Sequence, residues 1–464
     1  TALSCTLLTT LLTSASAARD ITGNHNAFAI SGETVTIKSG ATVGVGRAQV
    51  GNAVSSNSSI VVSNNGNTNE SSITIEKGGR LNSRIFSSYQ AKIKDIIING
   101  SIGAGPSNAS IINFRGTTIE KIEVGQTGVL EGGIINSWFK NGGTASGNSK
   151  IDNIDIKGEV KGGIKNQSGT MQTITITGSV SGGIQNDDKM DTLKIENGGS
   201  VSGDIINNKT MQSISVSNGT VNGNIVNSGS NASTGAINIT GTSDVKGSIV
   251  NQNGATFNNQ ITLEQGSKLG GITNAANSTM SGTLDLKGEV GAINNAGTFD
   301  STLTLSNKVG EINNAEGGTI SNNITINQNG SVGAINNAGT MQNITIQQQG
   351  KVENITNSGT MQAITNNATT GTLTLTNSGG TIDKITNGTG ATATIRNQGK
   401  ITNGIINDGG TLTVFNDFRK DESAANGYHT IGEIGKTANG VHIENNNGGK
   451  LHLNAWYFNK EDFT

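Results

Sequence analysis

The chain has 464 residues, and its hydrophobic share of 32% and aromatic share of 3% are too low for the filled core of an ordinary globular protein of that length. Its formal net charge is −2, with 31 basic residues scattered among 33 acidic ones, so the composition indicates no basic surface for nucleic acid. Disorder is one alternative for such a composition. The regular recurrence of Ile favours the other, an ordered fold whose core is thin.

The chain begins with a short apolar segment. Residues 3–12 (LSCTLLTTLL) are followed by Ala15 and Ala17, which fit the A-x-A cleavage pattern of a secretory signal peptide. The run is too short to span a bilayer, so we expect residues 1–17 to be the remnant of a signal peptide. Cys5 lies inside it, and lipidation of Cys5 is the less favoured alternative because most of the apolar run follows it. After cleavage no cysteine remains for a disulfide or a nucleophile.

Residues 18–110 are less regular but still strand-like. Short alternating segments such as 34–37 (TVTI) and 72–75 (SITI) are separated by polar stretches, the longest of them at 63–72. We expect irregular N-terminal coils that act as a cap, because a stack of strands must protect its open edge.

A repeat of about 20 residues dominates residues 111–409. Residues 169–186 and 210–227 are two copies of it, and the consensus reads G-T-M-x-x-I-T-I-x-G-x-V-x-G-x-I-x-N. Its sharpest marker is I-x-N, whose successive copies are 19 to 24 residues apart except for two gaps of 30. The Asn residues of this series are Asn136, Asn166, Asn186, Asn207, Asn227, Asn251, Asn274, Asn295, Asn314, Asn337, Asn357, Asn387 and Asn407. Each gap of 30 contains an out-of-step copy, which ends at Asn153 in the first gap and at Asn366 in the second.

The residue pattern within one repeat predicts strands and corners. Ile and Thr alternate with a period of two, which places Ile on one face and Thr173, Thr175 and Thr177 on the other. Gly supplies the backbone conformations of corners, and Pro is nearly absent because interior strands must donate hydrogen bonds. A leucine-rich repeat has an overlapping period, but it requires Leu dominance and a helical side. We therefore predict an all-β chain, a right-handed parallel β-helix with coils of about 20 residues.

Stacking of equivalent residues explains two further features of the repeat. The Asn of I-x-N is expected to form an amide ladder from coil to coil. Met171 precedes the main strand, and we expect its column to fill the core rather than to bind a cofactor. The same position is occupied by Met211, Met280, Met341 and Met361, with Phe257 and Phe299 as substitutes.

The composition changes after residue 410. Seven of the chain's 15 aromatic residues lie here, and so do three of its four His residues. The aromatic residues are Phe415, Phe418, Tyr428, Trp456, Tyr457, Phe458 and Phe463. We expect residues 410–464 to form an aromatic-rich C-terminal cap or a folding nucleus.

Taken together, the signal-like start, the cysteine-free Gly/Asn/Thr/Ser-rich repeat and the aromatic C-terminal segment resemble the passenger domain of a bacterial autotransporter (type V secretion). The G-T-M and I-x-N repeats look like those of Campylobacter and Helicobacter surface proteins. The resemblance implies a parallel β-helix exported to the cell surface, with residues from about 410 as an autochaperone-like segment. It also implies that the chain is attached to the outer membrane only through a C-terminal β-barrel that is absent from this chain.

Few residues carry a signature of chemistry. Asp187 and Asp188 form the one adjacent acidic pair of the regular repeat, and we expect a solvated turn there rather than a calcium or catalytic site. His442 and His452 stand ten residues apart in alternating contexts and are expected to share one side on adjacent strands, without a third ligand for zinc. The sequence contains no nucleophile elbow, phosphate-binding loop or zinc-protease motif. We predict no catalytic residue, no metal site and no cofactor.

These features favour a non-enzymatic surface protein located at the bacterial cell surface or outer membrane. We expect an adhesin or structural passenger whose repeated faces contact a host-cell glycan or protein, or other copies of the chain. One alternative is a ring-forming component of a surface layer, and another is a carbohydrate-active β-helix enzyme.

Overall fold

The computed structural model describes residues 17–50, 53–64, 69–137, 149–416, 418–420, 428–430 and 432–454. The predicted fold is confirmed: the chain is a parallel β-solenoid of about 18 coils with roughly 21 residues per turn, 61% strand and essentially no helix. It divides into two compact units. Unit 1 comprises residues 1–162 and 168–170, and unit 2 comprises residues 163–167 and 171–464. The predicted signal peptide lies outside the described residues up to position 16, and so do Trp456, Tyr457, Phe458 and Phe463.

Within unit 1 the strands form two parallel sheets, sheet A and sheet B. Sheet A contains β1 (Ala17–Ile21), β4 (Glu33–Ile37), β8 (Ser71–Ile75), β11 (Lys92–Ile98), β14 (Thr118–Val124) and β17 (Lys150–Ile156). Sheet B contains β2 (Asn24–His25), β3 (Phe28–Ile30), β5 (Thr42–Val43), β6 (Gly46–Val50), β7 (Ala53–Ser63), β9 (Arg80–Leu81), β10 (Arg84–Ser88), β12 (Ser101–Ile102), β13 (Ala109–Phe114), β15 (Val129–Leu130), β16 (Gly133–Ser137) and β18 (Glu159–Val160). A short 3-10 turn spans Pro106–Asn108, and β6 pairs antiparallel with β7.

Unit 2 has the same two-sheet arrangement. Its sheet A contains β20 (Thr170–Ile176), β23 (Lys189–Glu196), β26 (Thr210–Ser217), β29 (Ser233–Thr240), β31 (Thr256–Phe257), β32 (Ile261–Leu263), β34 (Thr279–Met280), β35 (Leu284–Leu286), β37 (Thr298–Phe299), β38 (Leu303–Leu305), β40 (Thr319–Ile320), β41 (Ile324–Ile326), β43 (Thr340–Met341), β44 (Ile344–Ile346), β46 (Thr360–Asn366), β48 (Thr381–Asn387), β50 (Lys400–Ile401), β51 (Ile405–Asp408), β55 (Glu433–Ile434) and β56 (Ile443–Asn446). Its sheet B contains β19 (Ile164–Asn166), β21 (Ser179–Val180), β22 (Ile184–Asn186), β24 (Ser200–Val201), β25 (Ile205–Asn207), β27 (Thr220–Val221), β28 (Ile225–Ser228), β30 (Asp244–Gln252), β33 (Lys268–Asn274), β36 (Glu289–Asn295), β39 (Lys308–Asn314), β42 (Ser331–Asn337), β45 (Lys351–Asn357), β47 (Leu373–Asn377), β49 (Thr392–Asn397), β52 (Thr411–Asn416) and β57 (Lys450–Asn454). A separate antiparallel pair is formed by β53 (Phe418–Lys420) and β54 (Tyr428–Thr430).

The two sheets of unit 2 exchange roles along the chain. In the first coils sheet A receives one long strand and sheet B two short ones. At β30 the two short strands merge, since β27 and β28 both pair with it. From β31 onward sheet A receives the two short strands, until β43 and β44 merge in β46. The outward positions of sheet A keep their register through this change, since Asn238 pairs with Thr262.

Small aliphatic residues fill the interior, as their alternation predicts. Leu193 stacks on Ile214 and Ile195 on Val216 in neighbouring coils, and all four are at most 1% exposed. The predicted Met and Phe column is also confirmed as core. All six Met of the chain lie in it and are at most 1% exposed, including Met190, which lacks the G-T-M context and pairs with Met211.

The predicted amide ladder exists, and it is hydrogen-bonded from one Asn side chain to the next. In unit 1 the Asn113 amide donates to Asn136 at 2.9 Å. In unit 2 each amide donates to the next Asn oxygen at 2.7 to 3.1 Å, with one Thr hydroxyl, that of Thr234, relaying between Asn207 and Asn227. Every member is paired, and all are buried except the last of each ladder, the half-buried Asn416 and the exposed Asn445, so the ladder satisfies its polar groups inside a thin core.

The predicted Asn series is wrong at one place. Asn357 donates to Asn377 rather than to Asn387, and the sheet B ladder continues through Asn397 to Asn416. A second ladder begins in sheet A at Asn366, the supposed out-of-step copy. It runs through Asn387 and Asn407 to Asn445. Each Asn of the ladder bonds to the Asn of the strand that lies directly above it in the stack. An Asn therefore belongs to the ladder when it lies one coil further along the same sheet, and the I-x-N tripeptide alone does not show this.

A threonine face as the candidate functional site

The short strands of sheet A in unit 2 carry Thr on their outer side. In each coil a Thr precedes an inward Met, Phe or Ile, as at Thr340-Met341. In every coil but that of Asp285, a second Thr lies between two inward Leu or Ile residues, as at Ile344-Thr345-Ile346. Inward positions of these strands are fully buried, so the period-two alternation directs the Thr side chains outward. The outward direction of both Thr side chains therefore follows from the core pattern of the strand.

These Thr residues stack into two columns, which we call the threonine face. The first column spans seven consecutive coils through Thr256, Thr279, Thr298, Thr319, Thr340, Thr360 and Thr381. The second spans five coils through Thr304, Thr325, Thr345, Thr365 and Thr386. Neighbours in a column are one strand spacing apart, about 4.8 Å. The result is a regular outer surface of hydroxyl and methyl groups, every member of which is exposed or half-buried.

The amide ladder holds the first column in place. Asn314 donates to the backbone carbonyl of Thr340 at 2.9 Å, and Asn337 donates to that of Thr360 at 2.9 Å. The same bond is made by Asn251, Asn274 and Asn295 to Thr279, Thr298 and Thr319. Each outer Thr is thus anchored through its main chain by a buried side chain, which fixes the spacing of the column.

The hydroxyls themselves are available for a ligand. Within the described ranges, none of these Thr hydroxyls bonds to another protein group. The polar residues between the columns differ, because they bond along the stack: Asn322 donates to the Asp300 carboxylate at 3.0 Å, and Asn343 donates to Asn323 at 3.0 Å. The outer side of sheet B is likewise self-paired, with Asn336 donating to Asn313 at 2.8 Å.

Charge on sheet A is balanced locally. Asp285 interrupts the second column between Thr262 and Thr304, and the Lys287 ammonium lies 2.9 Å from it. The hydrogen bond from Lys287 to the Asp285 carboxylate raises the pKa of that lysine above its ordinary value. The surface is therefore dominated by neutral hydroxyl and amide groups.

The structure places Asp187 and Asp188 in a turn, where neighbouring coils use both carboxylates. Asp187 accepts hydrogen bonds from Gln185 at 2.9 Å and from Asn208 at 2.6 Å. Asp188 lies 3.3 Å from the Lys209 ammonium. Both residues therefore join one coil to the next. No group of three or more His, Cys, Asp or Glu side chains comes together in the described part of the chain.

The predicted pairing of His442 and His452 on adjacent strands is wrong. His442 directly precedes β56, which belongs to sheet A, and its Nδ1 contacts the carbonyl oxygen of Ile434. His452 lies in β57, which belongs to sheet B, and its side chain is exposed. The turn between the two strands transfers the chain from one sheet to the other, so a ten-residue spacing does not bring the two rings to one face.

Sequence reasoning expected a polar Thr face at residues 173–177, but it missed the uninterrupted columns further on. In the first coils of unit 2 the outward series is mixed, since Lys194 stacks on Ser215 and Ser215 on Asn238. The signal was present in the sequence as the recurring pairs Thr-Met, Thr-Phe and Thr-Ile from residue 256 onward. The register that stacks these pairs in successive coils is visible only in the structure.

The fold and this surface define a β-solenoid with a repetitive hydroxyl-bearing outer face. No protein-family model matches the chain, and no curated protein shows significant similarity to it. Among the described residues, no helix has the length and apolar character needed to cross a membrane.

Proposed function

We propose that this chain is the passenger of an autotransporter-like surface protein, a non-enzymatic adhesin or structural protein displayed outside a bacterial cell. Its threonine face contacts a repetitive partner, either a host-cell glycan or protein or another copy of the chain. The fold supports this proposal, since autotransporter passengers often have this solenoid form. The signal-like residues 1–17 support export.

The observation that carries the proposal is the continuity of the two Thr columns. A column that keeps one residue type over seven coils presents the same hydrogen-bonding group at a fixed interval. Core packing does not require Thr at these outward positions, because the matching positions of earlier coils carry Lys, Ser and Asn. A rigid, preorganised array of donors and acceptors loses little entropy on binding, which favours a partner with its own repeat.

Self-association into a surface layer is a second candidate, favoured by one specific observation. Another copy of this chain has the same strand spacing, so two threonine faces match in register along their whole length. Analytical ultracentrifugation of the purified chain separates the two candidates. Ordered oligomers support the layer, and monomers that bind host cells support the adhesin.

The test uses matched double variants on the two sheets. Thr325→Lys with Thr345→Lys places two long cations in neighbouring coils of the threonine face. Ala334→Lys with Asn354→Lys does the same on the outer side of sheet B. Binding of purified protein to host cells and to itself is measured, and antibody labelling of intact bacteria tests display.

We expect the double variant on sheet A to lose binding while its thermal stability is unchanged. The double variant on sheet B should retain binding. Equal binding by both variants would refute the role of the threonine face. Labelling only after cell lysis would refute the surface location.

A further inference from the structure

Sheet B of unit 1 carries an apolar column on its outer side. Val61, Phe86, Ile112 and Ile135 stack in neighbouring coils at positions that alternate with the inward residues. At the corresponding middle position of the I-x-N strands in unit 2, Lys165 and Gln185 are polar, whereas Ile206, Val226 and Val250 are apolar. Val61 is fully buried because the β6–β7 hairpin folds over it, packing Ala48 and Val50 against this end of the column. The rest of the column continues beyond the hairpin toward Ile135.

Aromatic rings and guanidinium groups border the column where the hairpin ends. The rings of Phe86 and Phe114 lie one coil apart with centroids 5.7 Å from each other. The Arg84 guanidinium lies 5.5 Å from the Phe86 ring, and the Arg115 guanidinium lies 4.8 Å from the Tyr89 ring and 5.4 Å from the Phe114 ring. Arg115 also donates to the Tyr89 hydroxyl. We call these five half-buried residues the aromatic–arginine platform.

The backbone at the platform adopts conformations that bulky residues rarely adopt. Tyr89 has φ 55° and Arg115 has φ 50°, both in the left-handed region. Most other non-glycine residues with positive φ in the described chain are Asn, which tolerates this region. For a bulky residue this conformation is strained, and such strain concentrates at functional sites. Asn or Gly at these two positions would relieve the backbone strain. The presence of Tyr and Arg instead indicates that their side chains have a function.

Charge is distributed unevenly around the platform. The segments 42–50, 53–63, 80–90 and 101–117, which form this side of unit 1, contain four of the chain's seven Arg residues and no Asp or Glu. Burial lowers the pKa of the Arg84 guanidinium, which marks a cation that has lost part of its hydration. Clustered positive charge beside low-dielectric apolar surface attracts anions.

We infer that the aromatic–arginine platform is a binding site for a carboxylate-bearing polysaccharide. The apolar face of a sugar ring packs on Phe86 and Phe114, where it buries apolar area. The guanidinium groups of Arg84 and Arg115 pair with the carboxylates, since each retains N–H donors beyond those used in the fold. Two aromatic positions one coil apart suit an extended chain rather than a single sugar. The site lies in unit 1 and does not depend on the threonine face.

The test is calorimetric titration of the full chain with polygalacturonate oligosaccharides and, as a neutral comparison, with dextran oligosaccharides. We expect binding of the polyuronate alone, weakened by added salt because the ion pairs are partly exposed. Arg115→Gln and Phe114→Ala should each weaken the affinity at least tenfold. The matched control is Arg396→Gln, which removes a guanidinium 4.5 Å from the Phe415 ring on an ordinary strand, and it should leave the affinity unchanged.

Two further variants keep the test decisive. Arg84→Gln replaces Arg115→Gln if the latter fails to fold, as judged by circular dichroism and thermal unfolding. The threonine-face pair Thr325→Lys with Thr345→Lys should bind polygalacturonate normally, which separates this site from the proposed function. Equal affinity for dextran and polygalacturonate would overturn the inference, and so would an affinity that Arg115→Gln leaves unaltered.

Discussion

The amide ladder predicts a large difference between two neighbouring Asn residues of β42. Asn337 points inward and is 2% exposed. It accepts a hydrogen bond from Asn314 at 2.8 Å and donates to Asn357 at 2.8 Å and to the Thr360 carbonyl at 2.9 Å. Asn336 points outward, is half-buried and donates to Asn313 at 2.8 Å. Both side chains thus bond to the coil below or above, but only one does so out of contact with water.

The magnitude follows from these contacts. In Asn337→Ala three hydrogen bonds are lost at a net of about 1 kcal/mol each, and the buried Asn357 oxygen loses its donor, which costs a further 1 to 3 kcal/mol or so. We therefore expect a destabilisation of about 4 to 6 kcal/mol. In Asn336→Ala water replaces the lost bond, so we expect less than about 1 kcal/mol.

Urea unfolding of the two variants gives the global comparison, and native-state hydrogen exchange gives the local one. In a repetitive fold a substitution acts mainly on neighbouring coils, so the loss of protection in Asn337→Ala should centre on β39, β42 and β45. Equal destabilisation of the two variants would refute the reasoning, because burial would then not decide the strength of the ladder.

Three further predictions concern unit 1 acid stability and the core and corners of unit 2. The Glu123 carboxylate accepts a hydrogen bond from Lys121 and a second one from Lys157, and these bonds lower its pKa below the ordinary value of 4.5. Ionised Glu123 therefore stabilises the fold above that pH. This contribution is lost as the pH falls through the depressed pKa of the folded state. Thermal unfolding should therefore show Glu123→Gln less stable than wild type at neutral pH, and the difference should disappear as the pH falls below the depressed pKa of Glu123. Met341→Ala empties part of a fully buried column and should cost about 2 to 5 kcal/mol in urea unfolding. Gly339→Ala places a Cβ 2.1 Å from a main-chain carbonyl oxygen of the neighbouring coil, and it should lower the unfolding temperature and raise hydrogen exchange at β43.

The interior of this protein could be predicted from sequence because each coil repeats the same physical requirement. Alternating Ile and a buried Asn must lie above their counterparts, so a period near 20 and the I-x-N tripeptide were enough to predict the fold and the amide ladder. The ladder's path beyond Asn357 could not be read in the same way. Leu375-Thr376-Asn377 fills the next position without the Ile of the motif, while Ile364-Thr365-Asn366 belongs to the other sheet.

Outward sites were harder to predict, because no packing requirement fixes their identity. The threonine face depends on which strands share sheet A and on their register, and the coil lengths from β31 to β48 determine both. Phe86 pairs with Ile112 in the next coil, so Phe114 lies diagonally across from it, and their separation of 28 residues in sequence does not reveal that the two rings are in contact. Contact between them follows only from the actual length of the coil that connects them.

Site-directed labelling tests the role of the threonine face most directly. In a Cys5→Ser background the chain has no other cysteine, so Thr345→Cys on the threonine face and Asn354→Cys on sheet B can each be coupled to a bulky maleimide. The two positions lie in the same coil and differ in the sheet that carries them. Labelling at position 345 should abolish binding to host cells or to other copies of the chain, and labelling at position 354 should leave it intact. Loss of binding from position 354 alone would contradict the assignment and move the binding surface to sheet B.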